Sequence, residues 1–160
     1  MAINVTTKWI YPPTAPSTGL HRRAIVNLTA NATDGTDEAA VTKIDRSAII
    51  GHDGNMPQKI AIEKVQFHVV NFEVLLYWIE AGGDETICFL SGGTGTEDNS
   101  VAGEFDWIQG GGNGLLPPAV PAAATDGDIA ITTSGADDYA SYNITLSLRF
   151  KCWKPGDTVV

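Results

Sequence analysis

Hydrophobic and polar residues alternate most regularly near the end of the chain, over residues 141–152. One parity is apolar and the other is polar, and the apolar set is Tyr142, Ile144, Leu146, Leu148, Phe150 and Cys152. A period of two residues is typical of a β-strand, because successive side chains point to opposite faces of the sheet. The segment therefore predicts a strand with one face on the core and the other in water.

The longest run without glycine or proline, residues 59–80, also alternates, but its apolar parity changes twice. The changes fall near Glu63–Lys64 and near Val69–Val70, and the stretches between them keep the period of two. A β-bulge or a bend produces such a change, because it inserts a residue that has no partner across the ladder. We therefore expect one long bent strand or two successive strands, with Trp78 in the core.

Shorter runs separated by turn residues make up the rest of the chain. Strands are predicted over residues 24–32, 41–50, 86–90 and 128–133. The 17 glycines and 8 prolines favour turns over long helices. Together these features predict one all-β domain, an antiparallel sandwich or barrel. The long irregular segment 109–127 has the character of a contact or function loop.

The first 24 residues differ from the domain that follows. Three prolines between residues 12 and 16 favour an extended, polyproline-like chain with few backbone donors. We therefore divide the chain into an extended N-terminal arm, residues 1–24, one β-sandwich domain, residues 25–154, and a C-terminal tail, residues 155–160. Trp9, Ile10 and Tyr11 are too apolar for a free tail, so the arm is expected to pack on something.

Charge separates nearly the same two regions. The net charge of −9 disfavours a nucleic-acid partner or an anionic membrane surface, and polar residues interrupt the 59–80 run too often for a membrane span. Residues 1–33 contain three basic residues and no acid, whereas the remainder holds 7 basic and 19 acidic residues, a net of −12. A basic arm on an acidic body points to docking on another protein, and a chance excess of three charges is the alternative.

The sequence holds no motif that carries chemistry. Its glycine clusters complete neither GxGxxG nor a phosphate-binding GK[ST] pattern, and no GxSxG nucleophile turn occurs. The three histidines and two cysteines show no zinc spacing, so we expect no metal centre, no cofactor and no enzymatic activity. Cys88 and Cys152 lie in strand-like runs and are expected to be buried free thiols.

Two features leave alternatives open. Acidic loops within residues 34–38, 96–99, 125–128 and 135–138 are expected to be solvated turns, and a structural cation is the alternative. Trp107 and Trp153, at strand ends, are expected to pack in the core or in an interface. A carbohydrate-binding module, which would need one of these rings exposed beside polar residues, is the alternative.

Residues 34–151 resemble small structural proteins of tailed-bacteriophage particles, with the likeness carried by residues 41–44, 62–65, 75–78 and the closing strand. Such proteins act as capsid decoration or cement proteins, so the resemblance implies a jelly-roll-like sandwich without an active site. It also implies synthesis in the host cytoplasm, a place in the virion, the major capsid protein as partner, and a homo-oligomer, with a trimer favoured. A neck, tail or baseplate component of the particle is the alternative.

The sequence thus predicts an interface rather than an active site. Aromatic residues and arginine are enriched at interface hot spots, and the arm carries both, while the 109–127 loop adds two leucines. The candidate contact residues are Lys8, Trp9, Tyr11, Arg22, Arg23, Leu115 and Leu116.

Overall fold

A computed structural model of the chain describes residues 3–11, 23–32, 35–49, 56–93, 99–109, 112, 114–117 and 126–151. The described part holds nine strands and one short 3-10 helix, Arg46–Ala48. The strands are β1 Ile3–Tyr11, β2 Arg23–Ala32, β3 Val41–Ile44, β4 Lys59–Val70, β5 Glu73–Trp78, β6 Glu85–Ser91, β7 Ser100–Asp106, β8 Ile129–Ser134 and β9 Ser141–Lys151.

The nine strands form two antiparallel sheets. The five-stranded sheet has the order β1-β2-β9-β4-β7, and the four-stranded sheet has the order β3-β8-β5-β6. Apolar side chains from both sheets pack into a single buried core, whose largest fully buried members include Phe72, Phe150, Leu28, Ile60 and Ile131. The prediction of an all-β antiparallel sandwich is confirmed.

The strand pairs are nested along the chain. β2 pairs with β9, β3 with β8, β4 with β7, and β5 with β6. The chain from β2 to β5 therefore runs outward, and the chain from β6 to β9 returns beside it in reverse order. Successive strands of each half lie in alternate sheets until the turn between β5 and β6, so this long antiparallel hairpin wraps around the core.

The closing strand β9 shows the predicted alternation. Tyr142, Ile144, Leu146, Leu148 and Phe150 are each at most 2% exposed, whereas the residues between them are half-buried or exposed. The strand lies between β2 and β4, near the middle of the five-stranded sheet, so its apolar face is covered by the other sheet. Cys152, which continues the same parity, is outside the described residues.

Residues 59–80 form two strands that belong to different sheets. The first change of parity is a bulge in β4, between Ile62 and Lys64. The second is a corner at Asn71, whose φ of 59° takes the chain from β4 into β5. Backbone and side chain of Asn71 both bond Asn99, at 2.9 and 3.0 Å, and so hold the corner. Trp78, predicted to be core, is 2% exposed.

The N-terminal segment differs from the predicted arm. Ile3–Tyr11 is an edge strand of the five-stranded sheet and pairs with β2 from Ile3 opposite Ala32 to Tyr11 opposite Ile25. The physical reason is that this segment is rich in β-branched and aromatic residues and that Trp9 packs against the core. The segment Ile3–Tyr11 is therefore part of the five-stranded sheet rather than an extended arm, and the three prolines that indicated an arm all follow β1 in the sequence.

Cys88 is a buried free thiol, as predicted, and burial raises its pKa from 9.0 to about 12. In the unfolded chain this thiol loses its proton above pH 9, whereas in the folded protein it stays protonated up to about pH 12. The free energy of unfolding should therefore fall as the pH rises through this window.

We expect Cys88→Ala to remove this part of the pH dependence, whatever the substitution does to stability at neutral pH. The measurement is denaturant unfolding across the same pH window, with Cys152→Ser in both proteins. Parallel pH profiles for the two proteins would contradict the buried thiol.

Candidate binding surface

Three of the predicted contact residues lie on β1. Lys8 is exposed, Trp9 is half-buried against the core, and Tyr11 lies opposite Ile25 at the end of the strand. Only the backbone of Tyr11 is described. Trp9 packs against the core of its own domain, so less of its ring is free to contact a partner than the predicted arm would allow.

The other predicted contact residues lie on β2 and in the loop after β7. Arg23 begins β2 with its side chain 59% exposed, and Arg22 is outside the described residues. Leu115 exchanges two backbone hydrogen bonds with Ile62, at 2.9 and 2.8 Å, and Leu116 follows it half-buried. The loop is therefore tied to β4 at this point.

Pairing across the five-stranded sheet brings two of these regions to one end. Arg23 lies opposite Arg149, Arg149 lies opposite Ala61, and the next residue of β4, Ile62, lies opposite Leu115. The two regions are distant in sequence but share one end of the sheet because β9 and β4 lie between them. Lys8 and Trp9 lie farther along the sheet.

Glu63 joins the two arginines at this end. It sits at the bulge of β4, its side chain is 5% exposed, and its carboxylate oxygens lie 3.0 and 3.1 Å from Nε of Arg23. It also forms an ion pair with Arg149. One buried carboxylate faces two guanidinium groups, so these three side chains together carry one net positive charge, and Arg23 is the more exposed of the two arginines. We call Arg23, Glu63, Arg149, Leu115 and Leu116 the Glu63 end.

The sequence did not single out Glu63 or Arg149. Arg23 was expected to meet an acid of a neighbouring protein, and in the structure it has an acidic partner in its own chain. The change of parity near Glu63–Lys64 was the one signal, because a charged residue at a bulge can turn away from the regular faces of the strand.

The outer face of the five-stranded sheet is polar. One row runs across four strands from Lys8 through Asn27 and Thr145 to Gln66. On this face, Nδ2 of Asn27 donates hydrogen bonds to Oγ1 of Thr145 in the same row, at 3.0 Å, and to Oδ1 of Asn143, at 2.7 Å. Amides and hydroxyls of this kind offer a partner hydrogen bonds but little apolar area.

Three aromatic rings form a stack near the β7 edge. Phe67 and Phe105 lie 5.5 Å apart between centroids, and Phe105 and Trp107 lie 5.7 Å apart. Phe105 is 39% exposed and stacks with both of the other rings, which leaves less of its surface free to stack on a sugar. Trp107 is half-buried against the core, as the packing interpretation expected, and Trp153 is outside the described residues.

A second charged cluster is buried between the sheets. Glu38 and Lys43 form an ion pair, and Oη of Tyr142 donates to Oε2 of Glu38 at 2.7 Å. Burial, together with the charge and hydrogen bond of Glu38, raises the pKa of Tyr142, so its hydroxyl remains a donor. All three residues are less than a tenth exposed. They tie the segment around β3 to β9 and offer no contact to a partner.

The acidic loop at residues 125–128 is not the solvated turn that the sequence predicted. Asp126 and Asp128 are each 3% exposed, and burial raises the pKa of Asp128. Oδ1 of Asp128 accepts from the backbone N–H of Arg46 at 2.8 Å, and Nε of Arg46 donates to the carbonyl of Asp126 at 2.7 Å. The prediction is wrong here because Arg46, itself buried, lies about 80 residues away in sequence.

The other acidic loops give mixed outcomes. Glu38, in the 34–38 loop, is buried in the cluster described above, so the prediction is wrong at that residue. Asp137 is half-buried and Asp138 is exposed, so the 135–138 loop is largely the solvated turn that was expected. Residues 96–98 are outside the described part of the chain.

The described residues lack two further kinds of functional feature. In that part of the chain, no three His, Cys, Asp or Glu side chains are grouped so that they could hold a metal ion. Among the same residues no helix is long and apolar enough to cross a membrane. Comparison with known proteins gives no relative: no family model matches the chain, and no curated protein or solved structure matches it.

Proposed function

We propose that this chain is a structural protein of a tailed-bacteriophage particle that binds and stabilises the capsid shell as a decoration protein. The observation that carries the proposal is the nested pairing of β2 with β9, β3 with β8, β4 with β7 and β5 with β6. We interpret this pairing as a jelly roll, a double-sheet architecture used by viral capsid and lectin domains. The resemblance of residues 34–151 to phage particle proteins favours the first of these uses.

A fold does not set a function by itself, so the proposal also needs a surface. The Glu63 end fits a protein partner because an exposed guanidinium lies at the same end of the sheet as two half-buried leucines. Arginine is one of the residue types enriched at interface hot spots, and the two leucines add apolar area beside it. The excess positive charge at this end is suited to an acidic patch on the major capsid protein.

Repetition would make modest contacts sufficient. A shell presents the same binding site many times, and a homo-oligomer of this chain would engage several sites together. The overall affinity of several linked sites exceeds the affinity of a single site, because each later binding event is intramolecular. A small Glu63 end is therefore compatible with stable attachment.

The test is binding to empty capsids assembled from the major capsid protein of the same phage. Purified full-length protein should sediment with the capsids in many copies per particle. We expect Arg23→Gln to weaken this binding about tenfold at low salt, with a smaller loss as salt rises, because exposed charges are screened. Lys64→Gln is the matched control, since Lys64 is also a cation paired with carboxylates, Glu104 and Asp106, on the same sheet.

The outcomes separate the alternatives. A few copies confined to one vertex would favour a neck, tail or baseplate component and overturn the decoration role. Binding to a glycan array with no binding to capsids would favour a carbohydrate-binding module. Equal losses for Arg23→Gln and Lys64→Gln would leave capsid binding in place but reject the Glu63 end as its site.

A further inference from the structure

The two sheets have four edge strands, and β1 differs from the other three. It is nine residues long, against seven for β7, four for β3 and seven for β6. β7 carries Glu104 and Asp106, and β6 begins with Glu85, whereas β1 and the much shorter β3 contain no acid. An edge strand presents unpaired backbone donors and acceptors, and natural edges are commonly short or guarded by charge. β1 is the longest edge and has one charged residue, Lys8.

The charge of the whole chain makes this edge the favoured place for two copies to meet. Each copy carries a net charge of −9, so association of like copies is opposed by their charge. That opposition is weakest where acids are fewest, and residues 1–33 contain none. Among the described strands, the longest edge is therefore also the strand in the least acidic part of the sequence.

The sequence of β1 is complementary to itself in one antiparallel register. A two-fold axis at Thr7, the central residue of Ile3–Tyr11, places residue 6 opposite residue 8 and residue 5 opposite residue 9. Lys8 of each copy then faces Thr6 rather than the other Lys8, and Val5 faces Trp9. β1 pairs with β2 without interruption from Ile3 to Trp9, so the residues around Thr7 have regular strand geometry.

We infer that β1 is a self-association site: two copies of this chain pair through their β1 edges, antiparallel and centred on Thr7. The two five-stranded sheets then join into one continuous sheet across the two-fold axis, in the manner of strand addition to an open edge. The product is a dimer, not the trimer that the resemblance favours. The inference concerns the purified protein and does not depend on capsid binding.

Cysteine cross-linking of the full-length protein tests both the pairing and its register. Thr6, Thr7 and Lys8 are all exposed, so each accepts a cysteine, and Cys152→Ser removes the second native thiol while Cys88 is buried. Opposite residues of an antiparallel pair have Cα atoms about 4.5–5.5 Å apart, within reach of a disulfide. We expect Thr7→Cys to form a covalent dimer rapidly under mild oxidation.

Thr6→Cys and Lys8→Cys are the matched controls. Each alone should cross-link poorly, because the two copies of the same cysteine are not opposite each other. They are offset by about 7 Å along the strands, in addition to the spacing between the strands. An equimolar mixture of the two should cross-link far better than either alone, but in only about half of its dimers, because random pairing joins one copy of each variant in about half of the pairs. Similar rates for all three single variants would indicate random collision and would overturn the inference.

Sedimentation equilibrium gives a second measurement that does not depend on cysteine. Thr7→Lys places two like charges opposite each other across the axis, so the dissociation constant of the dimer should rise at least about tenfold. The melting temperature of the diluted, monomeric protein should not change, because residue 7 is exposed there. A wild-type protein that stays monomeric at high concentration, or that pairs only with a capsid protein segment, would overturn self-association through β1.

Discussion

Glu38→Ala should lower the free energy of unfolding by about 3–5 kcal/mol, because it leaves the ammonium group of Lys43 buried without a counter-charge. Lys43 is 8% exposed and Glu38 is 5% exposed, so solvent does little to stabilise the charge of Lys43 in the folded protein. The change also removes the acceptor for the hydroxyl of Tyr142. Domains of this kind have a total stability of about 5–15 kcal/mol, so the variant should be close to unfolding in denaturant titrations.

Two further variants define the origin of this loss. Glu104→Ala removes a carboxylate from the more exposed partner Lys64, and the expected loss is under about 1 kcal/mol. Glu38→Gln with Lys43→Met replaces the buried pair by neutral side chains and should recover most of the stability. If Glu38→Ala were no more harmful than Glu104→Ala, the cluster would be open to water in solution and the packing of β3 against β9 would be wrong.

The sandwich was predictable because its central strands are covered on one face. β9 and β4 lie inside the five-stranded sheet, so nearly all of their inward positions are buried and the period of two is visible in the sequence. The bulge of β4 was visible for the same reason, as a break in that period. Burial constrains the sequence of an edge strand less strongly. β1 has a neighbour on one side, and its described side chains from Thr6 to Ile10 are exposed apart from Trp9, so its pattern resembled an arm.

β7 shows a different limit of sequence reasoning. Its sequence, SVAGEFD, has a glycine in the middle and little alternation, so no strand was predicted there. In the structure, the ring of Phe67 on β4 lies over Gly103, 3.0 Å from where a Cβ would be. The glycine is compatible with the strand because the neighbouring strand supplies the side chain that covers it. Such compensation between strands cannot be read from either strand alone.

The candidate site was predictable in residue type but not in pairing. Arg23 and Leu115 were singled out from composition, yet what brings them to one end of the sheet is the order β2-β9-β4. The partner of Arg23 is Glu63, 40 residues away in sequence, and a sequence with 19 acids gives no means of choosing among them. The prediction of a solvated turn at Asp126 and Asp128 was wrong for the same reason. The local sequence is typical of a turn, and the buried arginine that contacts both residues is distant in sequence.

Leu146→Ala should lower the free energy of unfolding by about 2–5 kcal/mol, because it leaves a cavity in a core that cannot fully collapse. Leu146 is 0% exposed and lies opposite Val26 on β2 and Val65 on β4, so the lost contacts are in the middle of the five-stranded sheet. Ser147→Ala, on the next residue and the opposite face, should change stability by less than about 0.5 kcal/mol. Both are measured by denaturant unfolding of the full-length protein. Equal losses would mean that the outer face of β9 is also covered. A larger loss for Ser147→Ala would mean that the polar face, which carries Ser147 and the row from Lys8 to Gln66, is the one packed on the core.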